Sequence, residues 1–139
     1  MLFIWDKQGN VGTFLNYKGK LAEIGPEIVK VAMQRQTNED VGEYIRKYFI
    51  AAMRNGDKLC LDIDKSIADW ASYNKEGTFN SDLFFDWQAF KDYDTYMKYV
   101  RDDENHGIGG INPGNGYMRS NKFTLIIRSG VEEEESINQ

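Results

Sequence analysis

Between Thr37 and Asp64 the chain carries a helix, a turn and a strand in direct succession, and this unit constrains the fold more than any other stretch. Val41, Tyr44, Ile45, Tyr48, Phe49, Ala52 and Met53 recur at i, i+3, i+4, i+7, i+8, i+11 and i+12, the period that gathers apolar side chains on one face of an α-helix. Thr37 with Asp40 three residues on forms a capping-box pattern, and Asn55-Gly56 is a stop, so the spacing predicts a helix from about Asn38 to Arg54. Lys58-Leu59-Cys60-Leu61-Asp62-Ile63-Asp64 follows at once and reads as a short buried strand ending in acids.

The same logic extends along the chain. Leu2-Phe3-Ile4-Trp5 is a first strand stopped at Asp6 by the polar Lys7-Gln8-Gly9-Asn10. Val11, Phe14, Leu15 and Tyr17 have roughly helical spacing weakened by Gly12 and Gly19, so a short helix and a hairpin partner for the first strand both fit. The β-branched Ile28-Val29-Lys30-Val31-Ala32-Met33 predicts a strand, with Pro26 at a helix start as the competing reading. A short helix is expected over Lys65 to Tyr73, a turn over Lys75 to Ser81, and an amphipathic helix over Leu83 to Val100 on the spacing of Trp87, Phe90, Met97 and Val100. Arg101 to Asn121 holds six of the chain's glycines or prolines in a long loop, and Phe123 to Arg128 is a final strand. Strands alternating with helical patterns predict an α/β fold: a mainly parallel sheet of about four strands with helices packed on it in layers. The expected organisation is one domain over residues 1–130, an insertion over about 65–121, and an acidic flexible tail over 131–139.

Charge and composition narrow the function classes. The net charge of −5 is concentrated in Glu132, Glu133, Glu134 and Glu135, which leaves residues 1–130 nearly neutral. Basic residues form no nucleic-acid face, and an acidic tail opposes phosphate, so no nucleic-acid partner is expected. Leu, Ile, Val and Phe make up 33 of 139 residues, clear of the roughly one-fifth below which chains tend to disorder. No apolar run approaches membrane-spanning length, so no membrane insertion is expected. Met1 to Trp5 lacks the basic leader and cleavage site of an export signal, and a lone Cys60 suits a reducing compartment, which together predict an intracellular, cytoplasmic protein.

Catalytic patterns are sparse. A phosphate-cradling loop after the first strand would need two glycines bracketing four residues and then a lysine; Gly9 and Gly12 are closer than that, and Thr13 follows glycine directly. Asp62 and Asp64 stand at a strand end where a magnesium-binding acid would sit. They also open like a calcium loop, yet Ile67 occupies the place of its obligatory glycine and Tyr73 that of its bidentate acid, which excludes that motif. His106, the sole histidine, lies in a polar loop, Cys60 has no cysteine partner for zinc, and no Gly-x-Ser-x-Gly elbow is present. The glycine run Gly107 to Gly116 precedes a strand, whereas a dinucleotide fingerprint follows one.

Several segments in order resemble the degenerate AAA+ modules of dynein heavy chains. Leu2-Phe3-Ile4-Trp5-Asp6, Gly9 and Thr13-Phe14-Leu15-Asn16-Tyr17-Lys18 are similar to the strand, broken phosphate loop and short helix of such a module. Glu39 to Gly56 and then Lys58 to Asp62 resemble its next helix, stop and apolar strand, and Phe123 to Arg128 its sensor strand. The resemblance covers about half the chain and leaves Ser66 to Asn121 as an insertion. It implies a P-loop NTPase-like fold whose nucleotide chemistry is lost, it favours helix over hairpin for Val11 to Tyr17, and it implies a setting in cytoskeletal or ciliary machinery.

The expected function is that of a non-catalytic structural or protein-interaction subunit of a larger intracellular assembly, without cofactor, whose partners are other proteins. An aromatic content of 14% supplies the contact candidates Trp87, Tyr93, Tyr96, Tyr99 and Tyr117. The rival expectation is a small nucleotide- or magnesium-dependent enzyme that holds phosphate at Gly9, Gly12 and Thr13 and metal at Asp62 and Asp64.

Overall fold

A computed structural model describes the strand Leu2–Trp5 and residues 20–130. In chain order these contain β1 (Leu2–Trp5), β2 (Lys20–Glu23), α1 (Ile24–Ala32), α2 (Asn38–Asn55), β3 (Lys58–Asp64), the short helices α3 (Ser81–Phe84) and α4 (Tyr93–Met97), and β4 (Thr124–Ser129). The fold is α/β. β2, β3 and β4 form an open parallel sheet, and β1 runs parallel to the outer side of β4, in the order β1-β4-β3-β2.

The helix predicted after Thr37 forms for the reasons its sequence contains. Thr37 N–H donates to Asp40 Oδ2 at 2.9 Å and Asp40 N–H to Thr37 Oγ1 at 3.3 Å. Gly56 ends the helix at φ 73°, a left-handed conformation that glycine adopts without a Cβ clash. Val41, Ile45, Phe49, Ala52 and Met53 are buried along one face of α2, against Leu59, Leu61 and Ile63 of β3 and Leu125 and Ile127 of β4. Gly42 allows α2 to approach the 3-10 turn Trp70–Tyr73, because a Cβ there would stand 2.7 Å from the Tyr73 carbonyl oxygen.

Three expectations are corrected. Ile28 to Met33 is not a strand but the greater part of α1. Pro26 lies in the first turn, where its missing N–H costs nothing, and Ile24, Ile28 and Val31 at i, i+4 and i+7 face the core while Val29 and Met33 are exposed. The strand of this region is Lys20–Glu23, a four-residue edge flanked by charge that buries only Ala22. Leu83 to Val100 is not one helix: Asn80 caps α3, Asp86 Oδ1 accepts the N–H groups of Gln88 and Ala89, and Asp92 caps α4. Short polar side chains that bond nearby amides break a helix that apolar spacing alone would allow. Lys65 to Tyr73 contributes only the 3-10 turn.

The glycine-rich stretch before β4 is irregular, as expected, with two 3-10 turns. Residues 65–123 pack as a shell of rings on the helix side of the sheet. Phe49 of α2 lies 4.9 Å from Phe84 and 5.7 Å from Phe123, and Phe84 stacks on Phe90 at 4.3 Å. Arg46, 1% exposed, pins this shell to α2: it donates to Glu43, to both oxygens of Glu104, and to the Tyr99 carbonyl at 2.8 Å. On the opposite face of the sheet Cys60 and Ile126 are buried with Leu21 against them. The readings of Val11 to Tyr17 and of the tail over 131–139 lie outside the described residues. Among the described residues no helix is long and apolar enough to cross a membrane.

Candidate functional site

The carboxyl ends of parallel strands are where open α/β sheets place ligands, so Asp62 and Asp64 come first. The two acids converge on a cation from the neighbouring strand. Arg128 Nη1 lies 2.9 Å from Asp62 Oδ1 and 2.9 Å from Asp64 Oδ1, with the Arg128 and Asp62 side chains 4% and 14% exposed. The backbone bends to allow this: the β3–β4 register shifts between Asp62 and Asp64, and Asp64 sits at φ 49°. That left-handed conformation is held by two local bonds, Asp64 N–H to Asp62 Oδ1 at 2.9 Å and Gly130 N–H to the Asp64 carbonyl at 2.6 Å. Arg128 remains charged because the Asp62 and Asp64 bonds outweigh the burial that would draw its proton off. In this cluster the two carboxylates share one guanidinium as their counter-ion.

Other catalytic candidates are equally committed. Burial, reinforced by Asp62, pushes the Cys60 thiol up to about 12, which leaves no thiolate nucleophile at neutral pH. His106 Nδ1 lies 2.9 Å from the Gly107 carbonyl. Among the described residues no group of three or more His, Cys, Asp or Glu side chains could hold a metal ion. Gly9, Gly12 and Thr13 lie outside the described residues.

The expected contact aromatics divide. Trp87 and Tyr93 are exposed, at 52% and 46%. Tyr96, Tyr99 and Tyr117 are core residues, the Tyr99 ring packed on Phe84 and Phe90. Tyr117 hydroxyl donates to the Ile50 carbonyl at 2.7 Å, Tyr96 hydroxyl accepts from Arg119 N–H at 3.2 Å, and the Tyr99 carbonyl accepts from Arg46.

A concave site absent from the sequence reading opens at the other end of β4. Phe84, Phe85, Trp87 and Phe90, with Arg119, Asn121, Phe123, Thr124 and Leu125, enclose a cleft of about 260 Å³. A second hollow of about 160 Å³ shares Trp87, Arg119, Asn121 and Phe123 and adds Lys91 and Ser120. The Arg119 guanidinium lies 5.3 Å from the Phe123 ring centre and Lys91 Nζ 5.0 Å from that of Trp87. Arg119 Nη1 is buried without a hydrogen-bond partner among the described residues. Burial draws the Arg119 guanidinium below the ordinary arginine range, and the neighbours that oppose this are the hydroxyls of Tyr117 and Tyr96 rather than a carboxylate. A sequence signal for this end existed: from Asn105 to Gly130 a chain with 22 acids has none, while Arg119, Lys122 and Arg128 all fall there.

No protein-family model, curated protein or solved structure matches this chain.

Proposed function

We propose that this domain is a non-catalytic binding module, a P-loop NTPase-like fold that has lost nucleotide hydrolysis and serves as a protein-interaction subunit of a larger intracellular assembly. The observation that carries the reading is the double ion pair of Arg128 with Asp62 and Asp64. β1 and β3 flank β4 in parallel, so their carboxyl ends lie two strand spacings apart, roughly 10 Å, the separation at which a phosphate loop and a metal-binding acid could share one nucleotide. Between those ends β4 presents a guanidinium that bonds both of the acids a magnesium ion would need. The missing phosphate-loop lysine argues the same way. The similarity to dynein-type modules supports cytoskeletal or ciliary machinery as the setting.

The rival enzyme reading makes the opposite forecast for one assay. The purified chain with magnesium and ATP is expected to release no phosphate above the uncatalysed background and to show no saturable binding of a fluorescent ATP analogue. Saturable hydrolysis that disappears in Asp62→Asn would overturn the proposal.

A further inference from the structure

We propose that the cleft between Trp87 and Phe123 is the docking site for an acidic peptide segment of a partner protein, which seats one large apolar side chain among the rings and places a carboxylate on Arg119. The inference rests on the binding-module reading and supplies its partner class. Three properties of the cleft select this occupant.

Size comes first. At about 260 Å³ the cleft falls below the roughly 300–1,000 Å³ of pockets that enclose cofactors and drug-sized ligands. It is scaled to a single anchoring side chain, and Phe85, Phe90 and Phe123 offer that anchor apolar walls.

Charge comes second. Arg119 and Lys91 approach the cleft, no Asp or Glu lines either hollow, and no ion pair of Arg119 occurs among the described residues. Elsewhere the same chain pairs its buried guanidinium groups: Arg46 has two carboxylates and Arg128 has two. A guanidinium that lines a cleft and has no carboxylate of its own is a site for a charge-assisted hydrogen bond to an incoming carboxylate. Acidic chemistry is therefore complementary, and a basic or purely apolar segment is not.

Exposure comes third. Trp87, which lines both hollows and is 52% exposed, extends apolar surface outward from the rim. Trp and Arg at a small pocket are residue types enriched in binding hot spots.

The test is selection of a phage-displayed library of random peptides on the full chain, followed by titration of the enriched peptides as fluorescein conjugates. Enriched sequences are expected to place Asp or Glu beside Phe, Leu, Ile or Met. Arg119→Gln is expected to weaken them roughly tenfold to a hundredfold, the range for a hydrogen bond to a charged group, and Trp87→Ala about thirtyfold or more. Lys91→Gln, at an exposed position, serves as the milder second variant, with a few-fold loss that vanishes at high salt. Thermal unfolding of each variant checks that the fold is retained. Absence of enrichment, enrichment of basic or uncharged peptides, affinities indifferent to Arg119 and Trp87, or concentration-dependent self-association lost in Trp87→Ala would each overturn the assignment. None of these outcomes would restore nucleotide hydrolysis, so this inference can fail while the binding-module reading stands.

Discussion

The two ends of β4 carry the same functional group in opposite circumstances. At the carboxyl end Arg128 is enclosed by Asp62 and Asp64, and every charge in the cluster has a partner. At the amino end Arg119 lies under Phe123 in a ring-lined cleft, partly desolvated and without a carboxylate. The closed end resembles a potential active site in its position and its acids, yet both acids are engaged by an arginine of the neighbouring strand. The open end has no catalytic vocabulary at all, yet it retains unspent hydrogen-bonding capacity beside exposed apolar surface. Position within a fold therefore says less about function than whether the polar groups there are satisfied.

The comparison can be broken by treating the three buried or half-buried guanidinium groups alike. Arg46 is the reference for a structural arginine, since it is 1% exposed and ties α2 to Tyr99 and Glu104 in the stretch between β3 and β4. Arg46→Ala is expected to lower the unfolding free energy in urea by about 3 kcal/mol, because it removes the main partner of Glu43 and Glu104 and opens space, while Arg101 still contacts both acids. Its pH signature follows from those acids. The Arg46 bond holds Glu43 below the ordinary 4.5, and for Glu104 burial pushes upward but the bonds from Arg46 and the Arg101 amide prevail. Folded-state values below the unfolded ones mean stability that is complete above about pH 4.5 and is lost as pH falls through the lowered values. The urea midpoint of the native chain should therefore fall with acid over that window, and a single-charge variant, Arg46→Met, should flatten the fall.

Arg128→Ala is expected to come next, at about 2–3 kcal/mol by the same urea measurement, reduced from the Arg46 case because water can resolvate the 59% exposed Asp64 side chain. Arg119→Met should be smallest, within about 1 kcal/mol in either direction, since it removes an unsatisfied donor and strands no acid. A loss at Arg119 as large as that at Arg128 would erase the distinction between the closed and open ends. A neutral Arg119→Met that also abolishes peptide binding would sharpen it.

How far the fold was legible depended on where the information lay. α2 and β3 were readable to within a residue because their cap, period, stop and apolar run are all local and mutually consistent. α1 was misread because Ile28, Val29 and Val31 favour a strand by residue type, while the Ile24, Ile28 and Val31 stripe gains its burial only against β3 and α2. The stretch from Leu83 to Val100 was misread in the other sense: its apolar spacing is helical, but Asp86 and Asp92 divert backbone amides locally. Among the candidate contact residues, Trp87 and Tyr93 could not be told from Tyr96, Tyr99 and Tyr117 by type, since an amphipathic ring suits core and surface equally. Asp62 and Asp64 were visible as strand-end acids; that Arg128 would cancel them was not, because 66 and 64 residues separate the partners.

By itself the sequence determined the α/β alternation, the capped central helix, the absence of an intact phosphate loop, and the acid-free stretch from Asn105 to Gly130. These are properties of neighbours along the chain, where propensity, capping and composition act over a few residues. The tertiary structure alone decided which arginine is paired and which is not. Ion pairing and desolvation depend on distances of a few ångströms between groups far apart in sequence, and only the parallel register of β3 with β4 and the packing of residues 65–123 on α2 set those distances.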